Sequence, residues 1–384
     1  MKNSDPRLHD LSEFTPKHIE FRDKVREFAL RELFTNSFEV DCQGRFPLEK
    51  IKKIGELGWL GIPFPEEYGG LGLDTTSYII AVEEISRVCA STGITLAAHV
   101  SLGCFPIFAH GTEEQKRRYL TPLLKGEKLG GFGLTEPNAG SDAGATETTA
   151  VLNGDYYIIS GTKRFITSGS VAGTLVLTAT EDRSLGIHGI SAFIVDTSIE
   201  GFHPTKDEDK LGLKGSITSE LAFEDCRIPK VNLLGEPKQG FKIFMETLDG
   251  GRISIGALAL GIGQGILDVA IDYAQRRGLK KKQWVQKIVA DIATEVKAAR
   301  HLVYHAARLK DQGKKTTLEG AMAKLFASEV SIRAATKAIQ IPGCEGVLKR
   351  LPLERFLRDT KLNEIGEGTS EIQRIVIARE ILGR

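Results

Sequence analysis

Three stretches hold residue types that could do chemistry. Gly130-Gly-Phe-Gly-Leu-Thr-Glu-Pro-Asn-Ala-Gly-Ser-Asp-Ala-Gly144 packs glycines with Thr135, Ser141 and Asp142. Glycines allow close backbone approach, and hydroxyls with free N–H groups can hold a phosphate or a ring carbonyl. Taken alone, such a loop is more often a connector than a ligand site. In Gly161-Thr-Lys-Arg-Phe-Ile-Thr-Ser-Gly169, strand alternation puts Phe165 and Thr167 on one side. An aromatic face beside a hydroxyl suits a flat heteroaromatic ring, and an exposed hairpin is the plain alternative. In Asn363-Glu-Ile-Gly-Glu-Gly-Thr-Ser-Glu-Ile372, Gly366 and Gly368 flank Glu367, while Thr369 and Ser370 offer N-caps for a following helix. A carboxylate on such a turn can be aimed at a ligand, although most glutamates in such places are simply solvated.

Other patterns carry less. Gly261-x-Gly263-x-Gly265 lies inside a helical run with no preceding strand, so close helix packing explains it better than a dinucleotide fingerprint. His301 and His305 share a helix face without the Glu or third ligand of a zinc site. Lys280-Lys281-Lys282 reads as a solvated loop.

The elements that must position these residues follow from periodicity. Residues 15–125 show three- and four-residue apolar spacing, as in Ile19-Phe21-Val25-Phe28-Leu33, which predicts helices punctuated at Pro47, Pro63, Pro65 and Gly69-Gly70. From about 126 to 232 short β-branched and aromatic runs replace them: 149–152, 156–159, 175–177 and 192–195, with Asn153-Gly154 as a two-residue hairpin turn. Helical spacing then returns near 239–275, 283–311, 316–341, 353–358 and 370–381. The expected fold is α+β: an N-terminal helical domain (1–125), a barrel-like β domain (126–232) and a C-terminal helical bundle (233–384), with a cofactor where sheet meets helices.

A net charge of +1 and 26% charged residues argue against nucleic acid as a partner. Five scattered cysteines without a C-x-x-C pair predict free thiols in a reducing compartment. Residues Met1 to Leu11 read as neither secretory signal nor transit peptide, and no stretch reads as a membrane span, so a cytoplasmic protein without membrane insertion is expected.

Leu134-Thr-Glu-Pro-x-x-Gly-Ser-Asp142, Phe165-Ile-Thr-Ser168, Leu248-Asp-Gly-Gly-Arg252 and Glu367-Gly-Thr-Ser-Glu-Ile-Gln-Arg374, in this order and spacing, resemble the acyl-CoA dehydrogenase family over nearly the whole chain. The resemblance implies FAD as cofactor, an acyl-CoA substrate, an electron-transferring flavoprotein as acceptor and a homotetramer. It implies that Leu134, Thr135, Phe165 and Thr167 line the isoalloxazine, with Thr167 near N5. Thr369 and Glu371 would complete those contacts, and Arg277, Gln340 and Gly343 would hold the adenine-dinucleotide half, often across a subunit interface. Ser141, Asp249 and Arg252 match CoA-binding positions, and Gly366 and Gly368 fall on the substrate side of the base. Glu367 would remove the α-proton of the thioester; its own N–H and a flavin ribityl hydroxyl would bind the thioester carbonyl, and the β-hydride would pass to flavin N5, giving a trans-2-enoyl-CoA. Members that carry the base near 248–252 have a glutamate there, whereas this chain has Gly250 and Gly251.

Several positions depart from the family pattern. The segment Arg277-Gly-Leu-Lys-Lys-Lys-Gln283 is shortened, Cys344 stands for a usual glycine, and Phe165 for a frequent tryptophan. Gly366 stands where tyrosine is common, which would widen the acyl pocket toward branched or alicyclic groups alongside short straight chains. An oxidase or enoyl-CoA reductase on the same scaffold, or a non-catalytic CoA-binding helical assembly, are the alternatives.

Overall fold

A computed structural model describes His9 and residues 14–383. Apart from His9, the Met1–Leu11 stretch on which the reading of targeting rests lies outside the described residues. The N-terminal layer contains α1 (Pro16–Phe28), α2 (Asn36–Gln43), α3 (Leu48–Glu56), α4 (Thr75–Ser86), α5 (Ala90–Ala98), α6 (Phe105–His110), α7 (Glu113–Gln115) and α8 (Thr121–Leu124), with a π-helical turn at His99–Cys104 joining α5 to α6. The sheet follows: β1 (Gly130–Gly133), β2 (Thr149–Asn153), β3 (Tyr156–Thr167), β4 (Thr174–Thr180), β5 (Ile190–Asp196), β6 (Phe202–Asp207), β7 (Thr218–Pro229) and β8 (Leu233–Leu234). The chain ends in α9 (Gly240–Arg276), α10 (Gln283–Asp311), α11 (Thr317–Ala338), α12 (Leu353–Lys361) and α13 (Ser370–Leu382).

The mixed sheet is open in its pairing, running β6-β7-β3-β2-β4-β5-β8 with β1 added beside β4. Alternation divides its side chains between two cores. Leu175, Leu177, Phe193 and Val195 join Ile159, Leu221 and Phe223 in a core of the sheet's own, and the strand path has two free ends, so the pairing is that of an open sheet and not of a closed barrel. Val176, Ala192 and Ile194 point the other way, into a core shared with both helical layers. The β2–β3 hairpin turns on Gly154-Asp155, one residue later than expected, because Asn153 pairs with Tyr156 and the left-handed φ of 60° falls on Gly154. Residues 130–133, read above as the start of a loop, form a parallel strand on β4; a side chain at Gly131 would strike Leu175, and one at Gly130 would strike Gly103 of the π-helical turn.

Two helical stretches are long and apolar enough to cross a membrane by length and composition, 90–110 and α9, which corrects the expectation that none would be. Every residue of α4 from Thr76 to Ser86, and every residue of α9 from Gly250 to Ala270, is buried within the protein. A helix buried all round has no solvent face to make polar. Side chains at Gly261 and Gly265 would overlap the carbonyls of Glu83 and Arg87, and one at Gly263 would press on Val296, so this glycine series is the helix-packing seam expected. Charged groups trapped along the seam are paired: Tyr304 donates to Glu83 at 2.6 Å, Arg300 also reaches Glu83, Arg87 reaches Asp268, and Arg26 grips Glu84 at 2.6 and 2.9 Å. Burial without such partners would cost several kcal/mol for each charge.

Candidate active site

Thr369 caps α13, accepting from the Ile372 N–H at 3.3 Å. Just before it the backbone passes through the left-handed region at Glu367 (φ 54°) and Gly368 (φ 90°). A non-glycine residue there is strained and needs restraint from its surroundings. Gln373 Nε2 supplies some, donating to the Gly368 carbonyl at 2.9 Å and the Glu367 carbonyl at 3.4 Å, and the Lys324 ammonium donates to the same Gly368 carbonyl. The turn drives the Glu367 side chain inward against α9. A methyl group built on Gly251 would lie 2.5 Å from Glu367 Oε2 and 3.2 Å from Leu102 Cδ2.

Glu367 Oε2 is enclosed and accepts no hydrogen bond from the described residues. Burial therefore pushes the carboxyl up to about 8, against the opposing pull of Lys324 and Arg252. The Glu367 N–H likewise has no partner among the described residues. Next to the acid, Arg252 pairs with Asp249 Oδ1 at 2.5 Å, and Asp249 Oδ2 accepts from Thr317 at 2.6 Å. Arg252 Nε is buried without a hydrogen-bond partner among the described residues. One turn further along α9, Ser254 donates to the Gly251 carbonyl at 2.9 Å and contacts Ser101 at 3.3 Å; Ser101 and Tyr78 both donate to the Ala97 carbonyl, at 2.7 and 2.8 Å. A cluster of buried hydroxyls thus lies one turn along α9 from Gly251.

The second group is set by β1 and β3. His99, kept neutral because burial lowers it to about 4, accepts from the Gly130 N–H at 3.1 Å and contacts the Leu123 carbonyl at 3.1 Å. Phe132 stacks on Phe244 of α9 at 4.0 Å. These contacts seat β1 on the π-helical turn that carries Leu102, and Leu134 and Thr135 follow directly after the strand. The Arg164 N–H donates to the Thr135 carbonyl at 2.8 Å, which holds Thr135 next to Phe165 and Thr167. A register shift in β3 between Lys163 and Ile166, with Phe165 at φ 59°, turns that ring outward, 56% exposed. Buried Leu134, the exposed Phe165 ring with the Arg164 guanidinium 4.9 Å over it, and the hydroxyls of Thr135 and Thr167 are a set of apolar surface and donors that would suit the flat ring of a flavin.

The remaining predicted residues are placed less centrally. Ser141 is exposed on the 134–148 loop, and Glu371 is exposed in the first turn of α13. Gly366 is exposed, and a methyl group there would meet only the Leu362 carbonyl, at 3.4 Å. Arg277 pairs with Glu345 at 3.3 Å, which brings it to the turn holding Gln340 and Gly343 as an exposed patch that no hydrogen bond or ion pair among the described residues joins to Glu367. His301, His305 and the lysines at 280–282 are exposed, and no cluster of metal ligands occurs among the described residues. Sequence reasoning did not single out Lys324, whose cation sits beside the acid, nor the enclosed pair Glu136 and Lys163. Lys163 was findable: it occupies an inward position of β3, where an apolar residue belongs.

Comparison with known proteins gives the family. Residues 15–127 match the acyl-CoA dehydrogenase N-terminal domain, 131–226 the middle domain and 238–382 the C-terminal domain. The chain belongs to the acyl-CoA dehydrogenase family, whose members are FAD-dependent oxidoreductases. It is 51% identical over 365 residues to the short-chain specific acyl-CoA dehydrogenase of Clostridium acetobutylicum, covering 94% of this chain and 96% of that one. Butyryl-CoA dehydrogenase from Megasphaera elsdenii superposes with a TM-score of 0.95 at 43% identity, covering 97% of this chain and all of that one. A chain from a structure described as the electron transferring flavoprotein of Acidaminococcus fermentans superposes with a TM-score of 0.96 at 50% identity, covering 98% and 100%.

Proposed function

We propose that this protein dehydrogenates a short-chain acyl-CoA between Cα and Cβ, with Glu367 as the base that removes the α-proton. The observation that carries the reading is the enclosed, unpartnered Glu367 carboxylate facing Gly251. A thioester α-C–H is a very weak acid, so its base must be desolvated and matched to neutral pH, as a carboxyl raised to about 8 is. Negative charge developing on the thioester oxygen needs a donor, and the free Glu367 N–H supplies one. Leu134, Thr135, Phe165 and Thr167 would hold the flavin ring, which when bound would accept the β-hydride and leave a trans-2-enoyl-CoA. Asp249, Arg252 and Ser141 would hold the CoA portion.

The Tyr78, Ser101 and Ser254 hydroxyls support a short chain. They lie one turn along α9 from Gly251, and a cluster of buried hydroxyls is a poor neighbour for a longer alkyl chain. The open space at Gly366 favours tolerance of a branch near the reacting carbons as well. Electrons would leave to an electron-transferring flavoprotein from a homotetrameric, cytoplasmic enzyme.

The test is the visible spectrum of purified protein during anaerobic titration with butyryl-CoA, isobutyryl-CoA and cyclohexanecarboxyl-CoA. Bleaching of the oxidised-flavin band by butyryl-CoA, abolished in Glu367→Gln with the band itself retained, is expected. Equal bleaching in the variant would remove Glu367 as the base. No turnover of any branched or alicyclic thioester would remove the role given to Gly366. Rapid reoxidation of the reduced flavin by oxygen would favour the oxidase alternative.

A further inference from the structure

Away from the acid, the most enclosed ionic contact in the β domain joins Lys163 of β3 to Glu136, two residues past Leu134. Both side chains are shut off from solvent, at 0% and 1% exposure. Each group is fully satisfied. Lys163 Nζ donates to Glu136 Oε1 at 2.6 Å, the Leu134 carbonyl at 3.3 Å and Thr178 Oγ1 of β4 at 3.2 Å. The Glu136 carboxylate also accepts the backbone N–H groups of Glu147 at 2.6 Å and Thr148 at 3.1 Å. A core position that only had to be filled would take an apolar side chain more cheaply than an ion pair.

What the pair connects is more informative than its burial. Lys163 holds the Leu134 carbonyl and belongs to the same strand as Phe165 and Thr167, two and four residues on, so one ammonium fixes both halves of the proposed flavin ledge relative to each other. Glu136 binds residues 147 and 148 and thereby pins together the two ends of the loop that carries Ser141 and Asp142. Bulge, ledge and loop all meet at this one contact.

We infer that the Glu136–Lys163 pair is a positioning device for the cofactor face, setting the spacing between the 134–135 and 165–167 segments and the closure of the Ser141 loop. This rests on the reading of those segments as a flavin ledge. The pair touches neither Glu367 nor the reacting carbons, so its effect falls on binding.

The experiment compares Lys163→Met, the charge-neutral double variant Glu136→Gln/Lys163→Met, and the mild Thr178→Val, which removes one of the three acceptors and keeps the volume. FAD affinity of the apoprotein is read by quenching of flavin fluorescence, together with the absorbance spectrum of bound flavin, the melting temperature of the apoprotein, and KM and kcat with butyryl-CoA. Loss of hydrogen bonds to a charged group predicts FAD dissociation constants raised about ten- to a hundredfold in the two lysine variants and about threefold in Thr178→Val. A displaced flavin absorbance maximum and a KM that rises more than kcat falls are expected with them. The double variant should recover melting temperature relative to Lys163→Met without recovering FAD affinity. If it and Thr178→Val bind FAD with wild-type affinity and spectrum, the pair serves stability alone and the inference is overturned. Wild-type protein that takes up no FAD would instead sink the ledge reading itself.

Discussion

Gly251→Ala isolates the geometry of the base from everything else in the fold. Gly251 lies inside α9, where replacing glycine by alanine adds about 1 kcal/mol of helix propensity. The new methyl would sit 2.5 Å from Glu367 Oε2. Non-bonded carbon and oxygen rest at roughly 3.3 Å or more, so the carboxylate must retreat by about 0.8 Å. Because the obstructing atom ends a side chain and has no hydrogen bond to lose, the retreat costs the fold little. Misplacement of a catalytic group by about 1 Å can cost on the order of a hundredfold in rate. We expect Gly251→Ala to keep or raise the melting temperature, bind FAD as wild type does, and lose about a hundredfold in the rate of anaerobic flavin reduction by butyryl-CoA in a stopped-flow instrument. A reduction rate within about threefold of wild type would refute the argument that close apposition of Glu367 to α9 sets the chemistry.

Three further outcomes follow. Gly261→Ala, the same change ten residues along the same helix, meets the backbone carbonyl of Glu83, which cannot swing aside; stability in urea should fall by about 1–3 kcal/mol while the reduction rate per folded enzyme is unchanged. Lys324→Met removes the cation that opposes the upward shift of Glu367, so the rising limb of kcat/KM against pH should move about one unit higher, and an unmoved limb would show that Lys324 does not act on the base. Glu367 binds its proton more tightly folded (about 8) than unfolded (4.5). Wild type should therefore lose stability relative to Glu367→Gln as pH rises from about 4.5 to about 8, by an amount on the order of a few kcal/mol, and a pH-independent difference in urea midpoints would contradict the burial described.

The helical layers were legible because their apolar spacing is regular; α10 begins and ends where the spacing does. β6, with residues 203–207 exposed, offered no apolar alternation to read, and β7 interrupts its own with two consecutive exposed residues, Glu224 and Asp225. β1 was hidden because four residues of which three are glycine have no strand propensity; they are glycine so that the backbone can press against Gly103 and Leu175. At the site, Glu367 was legible from its glycine neighbours and from the resemblance. Its surroundings were not. Lys324 reaches it from the middle of α11 and Gly251 from α9, more than forty and a hundred residues away, and no spacing rule connects groups so distant. Arg277, Gln340 and Gly343 were named together by the resemblance alone, and the Arg277–Glu345 contact brings Arg277 to the turn that holds the other two.

The helical core has a consequence for how the chain comes to be made. α4 is enclosed on every side, and much of what encloses it is α9, which begins at residue 240. The strands between them fold around a core of their own. A ribosome adding roughly 5–20 residues per second needs about ten to thirty seconds to pass from one helix to the other. Throughout that interval Tyr78, Ile79, Ile80, Val82 and Ile85 have no completed core to enter, even as the strands beyond them can already pair. The nascent chain is therefore at its most adhesive while its middle is folded and its beginning is waiting.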